Sequence, residues 1–446
     1  MAEATFHFPK DFLWGTATAA HQVEGGNTNN DWWAWEQADD AHPKSGQTCD
    51  WWNRAEEDIT RMAELHTNAH RLSIEWSRIE PSPATWDYDA IDRYRAILTA
   101  MREAGIQPMV TLHHFTNPMW LAEQGGWLNP EAVDWFKRFV AKAVAELVDL
   151  CHMWCTVNEP NVLAVEGYML GRWPPGHTNV REYFQVVYHL LQAHAAAYEV
   201  IHDMQPASQV GLAKHMTLWE PWTPSSLNRW ATRMLDRAFN EITLTALKDG
   251  VWRPPIGRKS DEPKLKNTLD WIGLNYYQRY DAFFDLRVPG QLFLNYRTRP
   301  DHETGPAHWG EIYPEGLFLL IQRLYKQFGL PIAITENGRP DEHDAKRPRF
   351  ILEHLRQIWR AISFNWPVTG YYFWSLLDNF EWAEGYDPRF RFGLYAFDRE
   401  TQARTLRKSG ELYAEIAETG SLSSDMTRRY APEALETLFP GGPGRA

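Results

Sequence analysis

The sequence predicts an α/β protein: a single closed barrel of eight parallel strands, a (β/α)8 or TIM barrel with elaborated loops after its strands. Three observations lead there. Short β-rich segments recur eight times, each followed by a stretch with helical spacing, and alternation of that kind builds a parallel sheet that eight units can close. Two glutamates end runs of β-formers, Glu159 in Thr156-Val157-Asn158-Glu159-Pro160 and Glu336 in Ile334-Thr335-Glu336-Asn337-Gly338, with Pro160 and Gly338 as strand stoppers just beyond. They are far apart in the chain, so a fold that gathers many strand ends is needed to bring them together. Finally, no Pro/Gly/Ser-rich linker divides the 446 residues.

In chain order, the predicted strands are 12–19, 69–76, 107–114, 154–159, 209–216, 271–277, 332–336 and 370–376. Predicted helices between them include 55–66, 90–104, 131–150, 183–204, 227–248, 315–328 and 350–363. The segment 286–309 is polar and without periodicity, and is expected to be a loop over the barrel mouth. Residues 1–420 form the barrel domain; 421–446 form a tail that packs on the barrel or stays mobile, with the Gly/Pro-rich end mobile.

A barrel of this kind carries its chemistry at the C-terminal ends of its strands. Those ends hold Gln22; Arg71; His113 and His114; Asn158 and Glu159; Asn275 and Tyr277; Glu336; and Trp374 with Glu381 and Trp382 just beyond. Every strand end but the fifth is represented. Taken singly, each glutamate is an ordinary strand-end charge, Trp374 a core aromatic, His114 a half-buried histidine and Arg71 half of an ion pair. Together they point to chemistry. Two facing carboxyls are what glycoside cleavage needs: one protonates the leaving oxygen and the other attacks or stabilises the oxocarbenium-like carbon. The acid must be kept protonated and the nucleophile ionised, so their surroundings must differ. Arg71 and Tyr277 are the expected donors to Glu336. Asn158 can offer its amide to a sugar hydroxyl, and Glu381-Trp382 sets a carboxylate beside an indole.

Composition narrows the partners. Hydrophobic residues at 44% and charged residues at 23% fit a globular chain with a large core. With 45 basic against 58 acidic residues, the net charge of −13 argues against nucleic acid or an anionic membrane as partner and favours a small-molecule substrate. No basic-then-apolar leader and no long apolar run is present, so the cytoplasm is expected. The three cysteines, Cys49, Cys151 and Cys155, make no disulfide framework and no metal pattern, and are expected to be buried thiols. The 23 tryptophans serve either a large core or platforms for sugar rings. Oligomeric state is not legible.

The motifs together resemble family 1 glycoside hydrolases, the β-glucosidase and β-galactosidase family. They are Phe12-Leu13-Trp14-Gly15-Thr16-Ala17-Thr18-Ala19-Ala20-His21-Gln22-Val23-Glu24-Gly25, Arg71-Leu72-Ser73-Ile74-Glu75-Trp76-Ser77-Arg78-Ile79, Thr156-Val157-Asn158-Glu159-Pro160, Gly273-Leu274-Asn275-Tyr276-Tyr277, Ile334-Thr335-Glu336-Asn337-Gly338 and Trp374-Ser375-Leu376-Leu377-Asp378-Asn379-Phe380-Glu381-Trp382. The resemblance implies retaining hydrolysis through a covalent glycosyl-enzyme, with Glu159 as acid/base, Glu336 as nucleophile and no metal or organic cofactor. It implies a glycone subsite of Gln22, His114, Asn158, Glu159, Glu381 and Trp382 closed by Trp374, with Tyr277 and Arg71 steering Glu336 and Asn275 near the glycone or the acid/base. Glucosides are expected ahead of galactosides and fucosides, and Glu381 is expected to repel a 6-phosphate. A mainly transglycosylating enzyme and a non-catalytic sugar-binding barrel are the alternatives, the second disfavoured because both carboxylates are kept. Trp173 and Trp309 are candidate aglycone-side aromatics. Two departures bear on the site: His114-Phe115-Thr116-Asn117-Pro118 has phenylalanine where the family has an indole N–H, and Arg389-Phe390-Arg391-Phe392-Gly393 leaves open which phenylalanine lines the subsite.

Overall fold

Eight parallel strands close the barrel in a computed structural model that describes residues 4–307 and 309–440. We number them β1 (Leu13–Ala17), β2 (Ala69–Ser73), β3 (Gln107–His113), β4 (Met153–Asn158), β5 (Gln209–His215), β6 (Trp271–Asn275), β7 (Ile332–Asn337) and β8 (Val368–Trp374). Each pairs with the next, and β8 returns to β1. All eight lie where the sequence predicts strands. A parallel sheet wrapped in helices is buried on both faces; every residue of β2, β4, β6 and β7 is buried, polar ones included.

The outer layer comprises α1 (Trp51–Glu64), α2 (Tyr88–Glu103), α3 (Ala132–Leu147), α4 (Val180–Met204), α5 (Ile242–Asp249), α6 (Pro314–Phe328), α7 (Arg347–Ser363) and α8 (Lys408–Thr419). In α1 the buried residues Ala55, Ile59 and Met62 recur at helical spacing, which lays one stripe on the sheet. The start of α2 is fixed by the Asp87 carboxylate, which accepts from the Ala90 N–H. α8 lies outside the seven helices expected from periodicity. Its buried face includes Ser409 and Gly410, so the apolar stripe shrinks to Leu412, Tyr413 and Ile416. The predicted helix 227–248 is Ser226–Asp236 joined to α5 through a π turn, Arg237–Glu241.

One expectation needs correction. The segment 286–309 is not all loop: Leu294–Arg297 pairs antiparallel with Arg279–Phe284, which pairs with Leu218–Pro221 to make a three-stranded sheet beside the barrel mouth. Four residues of strand between turns carry too short an alternation to be seen without the partner that completes them.

Six tryptophans, Trp32, Trp51, Trp76, Trp127, Trp154 and Trp271, are fully buried, while Trp173, Trp219, Trp309, Trp374 and Trp382 line the cleft. The tryptophan excess is thus divided between the core and the cleft wall. The three thiols are buried and free. Among the described residues, no helix is long and apolar enough to cross a membrane.

Beyond Gly420 the chain packs on the barrel wall. Ser421–Ser423 pairs antiparallel with Thr5–His7, and Phe439 stacks on Phe6 with ring centroids 4.7 Å apart. The expected mobile end, 441–446, lies outside the described residues. Leu422, Met426 and Leu438 are at most 3% exposed, and burying such a side chain contributes about 1.5–3 kcal/mol. Truncation after Gly420 is therefore expected to lower the denaturant midpoint clearly; an unchanged midpoint would show that the tail adds no stability.

Candidate active site

Strand register assembles the site. Asn275 of β6 stands opposite Glu336 on one side and His215 on the other, so three polar side chains leave the same level of the rim. β7 approaches β8 closely just past Glu336: a Cβ on Gly338 would lie 2.1 Å from the Trp374 carbonyl oxygen. Glycine is required there, and it brings Glu336 beside Trp374. Glu159 follows β4 in a left-handed conformation (φ 46°), with its N–H donating to the Ala213 carbonyl at 2.8 Å. A non-glycine residue in that region costs about 1–3 kcal/mol. The turn re-aims the side chain at the cleft as Pro160 starts the next short helix.

Arg71, 1% exposed, is the hub. Its Nη1 donates to Glu336 Oε1, its Nη2 to Asn158 Oδ1 at 2.6 Å and its Nε to Thr111 Oγ1 at 3.0 Å. The Tyr277 hydroxyl donates to Glu336 Oε2 at 2.7 Å, so both oxygens of that carboxyl are held. Asn275 Nδ2 donates to Glu159 Oε1 at 2.7 Å and to Asn158 Oδ1 at 3.2 Å. The Thr335 hydroxyl, at 2.6 Å from Asn275 Oδ1, fixes the orientation of that amide. A continuous path thus joins the two glutamates: Glu336, Arg71, Asn158, Asn275, Glu159.

Because Asn158 Oδ1 is the acceptor for Arg71, Asn158 Nδ2 must be the donor to His114 Nε2, 3.1 Å away. His114 therefore carries its hydrogen on Nδ1, which is buried and has no protein partner. Burial and the Arg71 charge hold His114 well below its ordinary pKa, consistent with a neutral ring. Gln22 spends its amide hydrogens on Asn379 Oδ1 (3.1 Å), the Phe380 carbonyl (2.9 Å) and Glu381 Oε2 (3.3 Å), leaving Oε1 buried and unpartnered. His114 Nδ1–H and Gln22 Oε1 are a donor and an acceptor without partners, and His114 and Glu381 line a cavity of about 250 Å³ together with both catalytic-candidate glutamates. Trp374, Trp382 and Tyr277 line it as well. A larger hollow of about 530 Å³ beside Trp52 and Arg78 contains none of these residues.

Electrostatics follow from burial. Burial and the neighbouring Glu159 push Glu336 up to about 7, against the pull of Arg71 and Tyr277. Burial raises Glu159 too, but its electrostatic interaction and hydrogen bond with His215 and the hydrogen bond from Asn275 outweigh it and leave Glu159 below the usual value. Two carboxyls joined by one hydrogen-bonded path titrate as a pair. Arg71 is a permanent cation against Glu336. Glu381 is raised well above its ordinary value by burial, with Glu384 and Glu336 adding repulsion. Burial and the charge of Glu336 keep Tyr277 protonated as a donor.

All but one of the residues expected at the site from sequence are in this network or line this cavity. His113 is turned away: its Nε2 meets Asn117 Oδ1 at 3.0 Å, and its ring packs edge-on to Trp127. Phe392, not Phe390, lines the cleft, in contact with Trp309 at 5.4 Å. Phe115 lies against Trp173 and Trp382 at 4.9 and 5.2 Å. Sequence reasoning missed His215, whose Nδ1 lies 3.1 Å from Glu159 Oε1. Its signal was positional: it ends β5, the one strand whose tip seemed to carry no chemistry.

A barrel that faces two buried carboxyls across an aromatic-walled cleft, one of them held at both oxygens by an arginine and a tyrosine, defines a two-carboxylate glycoside-cleaving enzyme. The chain belongs to glycosyl hydrolase family 1, which it matches over residues 4–421. Among its relatives, beta-glucosidase A of Thermotoga maritima is 32% identical over 93% of this chain and 98% of its own. The 1,4-beta-D-glucan glucohydrolase of Thermotoga neapolitana is 31% identical over 93% and 99%. The solved beta-glycosidase from Pyrococcus horikoshii superposes with a TM-score of 0.90 at 35% identity, covering 96% of this chain and 98% of that one. The protein is thus a β-glycosidase that hydrolyses with retention of configuration.

Proposed function

We propose that Glu336 is the nucleophile and Glu159 the acid/base of a β-glucosidase acting on terminal, unphosphorylated β-D-glucosides. The observation that carries the assignment is the asymmetry of donors: Glu336 is held at both oxygens, one by a permanent cation, whereas Glu159 is held at Oε1 alone. A carboxylate fixed at both ends is poised to attack. One with a free oxygen is poised to give up a proton.

In the first step Glu159 protonates the glycosidic oxygen as Glu336 attacks the anomeric carbon, releasing the aglycone and leaving a glycosyl ester. In the second, Glu159 takes a proton from water, whose oxygen displaces Glu336. Asn158 Nδ2 keeps a second hydrogen for the sugar 2-OH, where a hydrogen bond strengthens in the transition state. His114 Nδ1–H, Gln22 Oε1 and Glu381 bind the remaining hydroxyls, and Trp374 and Trp382 supply apolar faces. Glu381 and Glu384 set carboxyl groups instead of cations before a 6-phosphate, and so oppose it. The contacts at Gln22 and Glu381 leave room for galactosides and fucosides as slower substrates. The glucosidase names of the Thermotoga relatives support the glucose preference. Buried, unpaired thiols support a reducing cytoplasm, and the net charge of −13 supports a small-molecule partner over nucleic acid.

The test is hydrolysis of nitrophenyl β-glucoside, β-galactoside, β-fucoside and β-glucoside 6-phosphate. The glucoside is expected to be turned over first among them, releasing the β-anomer, with the phosphorylated sugar slower by 100-fold or more, about 2.7 kcal/mol of repulsion and lost contacts. Preferred cleavage of the 6-phosphate would overturn the substrate assignment.

A further inference from the structure

Among the described residues, the Glu159 carboxyl is engaged at one oxygen only. Asn275 Nδ2 and His215 Nδ1, at 2.7 and 3.1 Å, both address Oε1. His215 is held firmly for this contact. Its ring stacks on Tyr277 (centroids 5.8 Å apart, 19° between planes) and meets Phe239 edge-on at 5.7 Å. Its other nitrogen, Nε2, lies 3.3 Å from Thr217 Oγ1, and the Thr217 N–H donates to Asn240 Oδ1 at 3.3 Å. With the threonine hydroxyl donating to Nε2, the ring hydrogen sits on Nδ1 and is directed at Glu159 Oε1.

We propose that His215 is a positioning residue of the acid/base, holding Glu159 Oε1 as an acceptor so that Oε2 alone carries the transferable proton. The proposal rests on the assignment of Glu159 as acid/base. In glycosylation the Oε2 proton passes to the glycosidic oxygen as its bond to the anomeric carbon breaks. The negative charge left on Glu159 is then met at Oε1 by two N–H donors. In deglycosylation water returns a proton to Oε2 while its oxygen bonds to the anomeric carbon and Glu336 departs. His215 neither gains nor loses a proton over the cycle. Around the ring stand Glu159 from the end of β4, Tyr277 from beyond β6 and Glu166, which feels the charge of the ring. Lys214, next in sequence, turns its ammonium to the His215 and Phe239 carbonyls.

The experiment compares phenyl β-glucoside, whose departure needs a proton, with 2,4-dinitrophenyl β-glucoside, whose departure does not, across a pH series in the native enzyme, His215→Phe, His215→Asn and Glu159→Gln. In His215→Phe, kcat/KM for the phenyl glucoside is expected to fall about 10- to 100-fold relative to the dinitrophenyl glucoside, as a misplaced catalytic group does. Its alkaline limb should move to higher pH, because ionised Glu159 has lost a donor. His215→Asn, which sets an amide N–H near the place of Nδ1, should restore most of the ratio. Equal losses on both substrates, an unmoved alkaline limb or an asparagine variant no better than phenylalanine would each overturn the proposal. If Glu159→Gln discriminates between the substrates and His215→Phe does not, only the role of His215 fails. If Glu159→Gln itself does not discriminate, the acid/base assignment fails with it.

Discussion

Replacing Glu336 with glutamine is expected to lower kcat/KM on nitrophenyl β-glucoside by on the order of 10⁵-fold, about 7 kcal/mol of transition-state stabilisation. The amide cannot form the glycosyl ester, so the reaction loses its first half entirely instead of merely slowing. Its shape is nearly unchanged, which separates chemistry from folding: glutamine Oε1 can still accept from Arg71. What the variant does leave is a guanidinium that is 1% exposed and no longer faces an opposite charge. Removing one partner of a buried pair costs about 3–5 kcal/mol when the other is left uncompensated, and the retained hydrogen bond offsets part of that. A lower but still cooperative thermal transition should accompany the lost activity. Native enzyme treated with a 2-fluoro glucoside should also gain one sugar mass on the peptide that holds Glu336. A label elsewhere, or a glutamine variant that keeps even a hundredth of the native rate, would remove Glu336 from the nucleophile role.

The barrel was legible because its signals are local and repeated. Strands such as Ile332–Asn337 open on an apolar run and are followed at once by a residue that stops a strand, here Gly338, and helices such as Trp51–Glu64 show their stripe within a few turns. The eighth helix and the small sheet beside the mouth were not legible, since Leu294–Arg297 is a strand only by virtue of Arg279–Phe284, and no short window contains both. The site divides in the same way. Glu159 and Glu336 announce themselves through the residues that follow them. His215 does not: Lys214-His215 reads as an ordinary polar pair, and only the register that sets His215 beside Asn275 shows that it reaches Glu159. The same register decides His113 against His114. Adjacent residues of a strand face opposite ways, so one histidine enters the cleft while the other packs on Trp127.

Glu159→Gln should separate its substrates by leaving group, and this follows from where the donors fall. The acid contributes only to the step in which an alkoxide would otherwise depart, so an unactivated phenyl glucoside is expected to lose about 10²- to 10⁴-fold in kcat/KM. A dinitrophenyl glucoside, whose leaving group is stable as an anion, should retain most of its glycosylation rate and become limited by deglycosylation, where the base is missing. An added small anion that needs no base, such as azide, should then restore turnover by attacking the glycosyl-enzyme. The pH profile supplies the independent check. In the native enzyme the acid limb is expected to report Glu336, which must be ionised to attack, and the alkaline limb Glu159, which must be protonated to assist. The active form is therefore the one in which the pair's single proton sits on Glu159, with Arg71 and Tyr277 holding the charge on Glu336. Glutamine at 159 cannot ionise and, like the protonated Glu159 it replaces, puts no charge beside Glu336 over the acid limb. The alkaline limb should vanish, and the acid limb should stay near its native position. An alkaline limb that survives the substitution would assign the proton to another group and reverse the roles of the two glutamates.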